Sequence, residues 1–137
     1  MAHARQTIRE AAGTLLGNLT TTSTRVFQSR MVPQTSLPCL LITTNDEEIV
    51  PGTIGNLLER NMELIVSGCA KATSNVDDTL DTIAAEVETA MAGFSYRNQL
   101  TRLEVDFDES LERPVGRIAL TFSITYLTAA GAPGTPI

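Results

Sequence analysis

The stretch Ile118-Ala119-Leu120-Thr121-Phe122-Ser123-Ile124-Thr125-Tyr126 sets an apolar residue at every even position and a small or polar one between. Side chains of a strand point alternately to its two faces, so a period of two describes a strand with one core side and one wetter side. A second alternating run stands just upstream, where Leu103, Val105 and Phe107 alternate with Arg102, Glu104, Asp106 and Asp108. Both runs read as half-buried strands. Between them, Glu109 to Gly116 carries Pro114 and Gly116, which suits a hairpin connection.

Further upstream the period changes. Val76, Leu80, Ile83, Ala84, Val87 and Met91 form the stripe of an amphipathic helix. Ser74 or Asn75 is expected to accept bonds from its first free amides, Asp77 and Asp78 favour the positive helix start, and Gly93 suits its end. A first helix follows from Ile8, Ala11, Ala12, Leu15, Leu16 and Leu19, with Arg5, Gln6, Arg9 and Glu10 on its other side. The run Thr20 to Thr24 ends that pattern, since these side chains compete for backbone hydrogen bonds.

The middle of the chain reads as strands. A short one is expected from Arg25 to Ser29. Pro33 and Pro38 bracket a connection, and Cys39 to Thr44 is a compact apolar strand ending in the acidic turn Asn45-Asp46-Glu47-Glu48. Ile49 to Asn56, with Pro51, Gly52 and Gly55, looks like a loop or an irregular hairpin tip, after which Leu57 to Ala72 resumes strand character. The order helix, strand, strand, strand, helix, strand, strand predicts an α+β fold: two helices packed on one face of a mostly antiparallel sheet, with a protruding loop or hairpin. Residues 1–127 are expected to form one domain and 128–137, poor in large apolar residues, a flexible tail.

Composition narrows the function classes. The chain has 137 residues, 10 basic and 16 acidic, for a net charge of −6. That balance disfavours specific nucleic-acid binding, which needs clustered Lys and Arg to neutralise phosphates, and disfavours an anionic membrane surface. The longest apolar runs, such as Leu40-Leu41-Ile42, fall far short of the roughly 20 residues that span a bilayer, so no membrane partner is expected and the chain should stay in the cytosol. Cys39 and Cys69 read as reduced, buried small hydrophobes, with a disulfide as the minor alternative.

No catalytic, cofactor-binding or metal-ligating set emerges. The only histidine, His3, sits near the start and is expected to be solvated. There is no Gly-rich phosphate loop after a strand, and Gly-x-Ser-x-Gly is absent. The one enzymatic candidate is the carboxylate row Glu104, Asp106 and Asp108, whose spacing of about 6.5–7 Å between i and i+2 side chains is compatible with acid/base work or a hard cation. A solvated strand face produces the same pattern. The acidic turn Asp46-Glu47-Glu48 lacks the alternating ligands and glycine of an EF-hand and reads as a solvated loop.

The layout resembles the tail terminator proteins of long-tailed phages, the group that includes the lambda minor tail protein U. The resemblance rests on the helix Ile8 to Leu19, the segments Arg25-Val26-Phe27-Gln28-Ser29-Arg30 and Leu37-Pro38-Cys39-Leu40-Leu41-Ile42, the central Glu63-Leu64-Ile65-Val66, the second helix, and the closing Leu120 to Tyr126. It implies a non-enzymatic virion protein without cofactors. Such proteins form a hexameric ring that caps the head-proximal end of a tail tube, stops its polymerisation and joins the tail to the head. The implied partners are further copies of the chain, the major tail tube protein and a head-tail connector protein, with DNA passing through the lumen.

Two surface expectations accompany it. Asp46 to Arg60, including Asp46, Glu47, Glu48, Ile49, Val50, Asn56 and Arg60, is expected to project and contact a neighbouring subunit or the tube. Glu104, Asp106 and Asp108 are expected to face the lumen, where negative charge keeps passing DNA from adhering. The alternatives are a head-completion or connector protein of the same kind of virion, a small α+β enzyme using the Glu104/Asp106/Asp108 face, and a ligand-binding regulatory domain.

Overall fold

The computed structural model describes residues 2–31, 36–51, 56–108 and 114–137. Its elements are α1 (Ala4–Leu15), β1 (Val26–Phe27), β2 (Cys39–Pro51), β3 (Leu57–Lys71), α2 (Val76–Met91), β4 (Arg97–Asp108) and β5 (Val115–Ala129). The strands form one sheet in the order β1-β2-β3-β5-β4, antiparallel throughout except for the parallel β1–β2 pair. The α+β architecture expected from the sequence is the one observed.

Both helices lie on one face, α1 over β2 and α2 over β3 and β5. Ala4, Ile8, Ala12 and Leu16 point inward from α1 and its C-cap, and the six apolar positions of α2 are all buried. They meet Leu40, Ile42, Leu64, Val66, Ile118, Leu120 and Phe122 in the main core, and a second, smaller cluster of Cys39, Leu41, Cys69 and Val115 is buried on the other face of the sheet. Two glycines let α2 approach closely: a Cβ at Gly68 would stand 2.5 Å from Ile83 Cγ2, and one at Gly116 would stand 2.7 Å from Val76 Cγ2. The helix therefore lies nearer to the sheet than side chains at those positions would allow.

Several boundaries differ from expectation. His3 is the N-cap of α1, where its Nδ1 accepts the Arg5 amide at 3.1 Å, and is not a free terminal imidazole. At α2 the N-cap is Asn75, which makes no side-chain capping bond; Asp77 and Asp78 still occupy the first turn. The strand β2 continues through the expected acidic turn to Pro51, because its outer half pairs with Leu58 to Met62 of β3. The hairpin arm is thus two long paired strands, and residues 52–55 at its tip lie outside the described residues. The expected connections at Pro33 and Glu109 to Arg113 also fall outside them.

Of residues 128–137, expected to form a flexible tail, Thr128 and Ala129 are the last residues of β5, and the segment beyond them makes backbone hydrogen bonds. Gly131, at φ +82°, turns the chain, Ile137 N–H donates to Leu127 O at 2.8 Å, and Ala4 N–H donates to Pro133 O at 2.8 Å. Backbone hydrogen bonds, not apolar side chains, hold it, which is why composition gave no sign of it.

Candidate functional site

Sheet order makes β4 an outer strand, and its backbone edge away from β5 has no strand partner among the described residues. A bulge between Leu100 and Arg102 inserts one residue, so Leu100 and Leu103 fall opposite Phe122 and Leu120 on the same, helix-bearing face. Leu103, Val105 and Phe107 share that face at the margin of the α2 layer, where the edge of the Phe107 ring comes up over Gly116 beside Val76 and Leu80, and remain 45%, 49% and 44% exposed. The expectation of a half-buried strand fails here. The register is right for burial, but α2 lies over β3 and β5 and covers the outer strand only in part.

Glu104 and Asp106 point to the opposite, helix-free face, opposite Ala119 and Arg117. Both are exposed. Glu104 pairs with Arg102 on the same strand at 3.0 Å, and Asp106 Oδ1 accepts the Phe107 amide at 2.9 Å. The Asp108 side chain lies outside the described residues, although its backbone pairs with Val115. The same face carries Glu63 opposite Ser123, Asn61 opposite Thr125, and Arg97 opposite Thr125 from the other side. That end of the face is therefore a polar sheet surface, whereas its other end carries the buried cluster of Cys39, Leu41, Cys69 and Val115. Neither Glu104 nor Asp106 lines a described pocket.

The second candidate stretch, Asp46 to Arg60, divides. Another bulge, between Thr44 and Glu47, adds one residue to β2 and swings Glu47 onto the helix-bearing face. There Glu47 Oε2 accepts Arg60 Nη1 at 3.0 Å, with both side chains less than a tenth exposed, at 7% and 8%. Tyr126 donates its hydroxyl to Glu47 Oε1, and Arg60 Nε donates to Thr128 Oγ1 at 2.8 Å. Burial first, and then the Glu47 carboxylate, push the Tyr126 phenol above its usual range. Glu47 and Arg60 are thus internal struts of the hairpin rather than parts of a solvated turn. Asp46, Glu48, Ile49, Val50 and Asn56 are exposed.

The register also brings together two residues that the sequence left 30 positions apart. Cys39 and Cys69 stand directly opposite each other on β2 and β3, and Arg117 is the next residue across on β5. Both thiols are free and buried. A hydrogen bond from the Cys39 thiol holds Cys69 down at about 7, against the upward pull of burial and with help from the Arg117 charge, while Cys39 is pushed up. No spacing rule in the sequence could have paired them, because strand register is set by the whole sheet.

No family model matches the chain, and no curated protein matches it. In structure it is similar to a chain from the virion of native gene transfer agent (GTA) particle, with a TM-score of 0.51 and 18% identity, over 89% of this chain and 90% of that one. At that identity the likeness is one of fold. No helix among the described residues is long and apolar enough to cross a membrane.

Proposed function

We propose that this chain is a structural virion protein, a subunit of a ring that caps the head-proximal end of a long tail tube, ends its polymerisation and presents the surface that joins head to tail. The observation that carries this reading is the whole-chain likeness to a virion protein, spanning nine-tenths of both chains. It agrees with the resemblance of the sequence to tail terminators. The geometry is suited to the role, with an outer strand open along its edge, exposed carboxylates on that strand and a long β2–β3 hairpin whose outer part exposes Ile49 and Val50.

In this reading Glu104 and Asp106 work as surface charge and not as an acid/base pair. Their exposed row, with Glu104 held by Arg102, gives the outer strand a negative surface on the helix-free side of the sheet. A head-completion protein would share much of this geometry and differ in what it binds. Native mass spectrometry of the free chain, followed by electron microscopy of tail tubes grown with and without it, tests the proposal. Rings on tube ends and tubes of uniform length are expected; tubes that grow unchecked, with the chain bound instead to the head vertex, would replace it with the head-completion role.

A further inference from the structure

We infer that the β4 edge of one copy of this chain seats on the α1–β1 edge of the next copy, a contact between the two opposite ends of the sheet. The inference rests on the ring reading above and names the surfaces that close the ring.

The β4 side offers an apolar row, Leu103, Val105 and Phe107, each close to half exposed and all on the helix-bearing face. The other end of the sheet offers a receptor. Its outer strand β1 is only two residues long, and between it and α1 lies a groove of about 500 Å³ whose lining includes Glu10, Gly13, Thr14, Val26, Phe27 and Gln28. Gly13 has no side chain to fill that groove. Val26 is in register with Leu40, and Leu40 with Gly68 and Ile118, so the groove opens on the same side of the sheet as the Leu103 row. Two copies laid edge to edge with their helices on one side bring row to groove in one operation. Repeated, it makes a head-to-tail contact of the kind that closes a ring.

Charge decides the pairing. Around β1, Arg9 donates to Gln28 and Thr44, Arg25 to the carbonyls of Pro38 and Thr21, and Arg30 to Thr44 O and Asn45. None of the three meets a carboxylate among the described residues. On β4, Asp106 meets no cation there either, and Glu104 meets only Arg102 of its own strand. A two-fold β4–β4 pairing would set Glu104 and Asp106 against their own copies, and like charges directly opposite are unfavourable. With Arg9, Arg25 and Arg30 against the single groove carboxylate Glu10, the α1–β1 end carries the excess of positive charge and is the complementary partner for the acidic one.

The experiment measures native mass against concentration and ionic strength, in solution or on tail tubes when the free chain is monomeric. The variants are Val105→Glu, Asp106→Arg, Arg30→Glu and the double swap Asp106→Arg with Arg30→Glu. Val105 and Asp106 are exposed, so circular dichroism should report unchanged folding, and the swap pair carries the test if Val105→Glu does not fold. Val105→Glu is expected to raise the half-assembly concentration roughly tenfold or more. Each single charge reversal should raise it about threefold, the double swap should restore it, and added salt should weaken wild-type assembly. Rings that persist unchanged in Val105→Glu and in both single reversals would overturn the edge assignment while leaving the ring reading intact. Unchanged rings with lost tube binding would assign the row to the tube protein instead. A wild-type chain that forms no ring in either setting would overturn the ring reading itself.

Discussion

β5 and β4 carry nearly the same pattern and meet opposite fates. In β5, Ile118, Leu120, Phe122 and Ile124 are buried at 2% exposure or less, whereas in β4 Leu103, Val105 and Phe107 stay close to half exposed. Their pairing shows that the two rows share one face, with Leu103 opposite Leu120 and Val105 opposite Ile118. What separates them is position: β5 lies between β3 and β4 under α2, and β4 is the last strand, at the margin of the helix layer. Alternation therefore reports which face a side chain takes. Whether anything covers that face depends on the neighbours.

The largest contrast should come from placing one charge on each row. Leu120→Asp buries an unpaired carboxylate at a site with 0% exposure and is expected to cost more than about 4 kcal/mol, enough to unfold a domain of ordinary stability. Leu103→Asp, directly across the sheet, should cost less than about 1 kcal/mol. Urea denaturation of the two variants checks this, and equal losses would break the distinction between covered and uncovered strands.

A smaller but still large effect should appear where β2 enters the covered face. Glu47→Ala leaves the Arg60 guanidinium buried without its carboxylate, and about 3 kcal/mol of stability should be lost. Glu48→Ala, one residue along and exposed, should change stability by no more than about 0.5 kcal/mol. Comparable midpoints for the two would place Glu47 in solvent after all.

Next comes the approach of α2 to the sheet. Gly68→Ala puts a methyl 2.5 Å from Ile83 Cγ2 and is expected to cost about 1–3 kcal/mol. In a double-mutant cycle with Ile83→Ala, the combined loss should be smaller than the sum of the single losses. Strict additivity would show that the two residues do not touch.

The smallest effect is a pH dependence. The Tyr126 phenol is raised in the folded protein, by burial first and then by the Glu47 carboxylate it donates to. The folded state thus keeps a proton that the unfolded chain releases near pH 10. This contribution is full below that pH and is lost as pH rises through the folded value. Stability of the wild type should fall more steeply above about pH 10 than that of Tyr126→Phe, as read from thermal midpoints across the range. Parallel curves would remove the linkage.

Much of the fold was legible because local patterns carried it. The apolar stripe of α2, from Val76 to Met91, and the alternation of Ile118 to Tyr126 each state a period, and together they require helices on one face of a sheet. The candidate surfaces were only half legible. The exposed row Glu104 and Asp106 lies on the helix-free face, as alternation implied, but Glu47 in the expected acidic turn is a buried strut, because a one-residue bulge reverses the facing of everything beyond it. The Cys39–Cys69–Arg117 contact had no sequence signal at all, since residues on different strands become neighbours only through register.

The amino-acid order alone determined which residues form helices and strands, and which side of each is apolar, because those depend on dihedral preference and on periods of 3.6 and 2 within a few turns of chain. The tertiary structure decided which strand became the edge, which apolar row the helices left bare, and which carboxylate turned inward. These outcomes depend on strand order, on two single-residue bulges and on the reach of α2, and each is set by contacts between distant segments that no local period encodes.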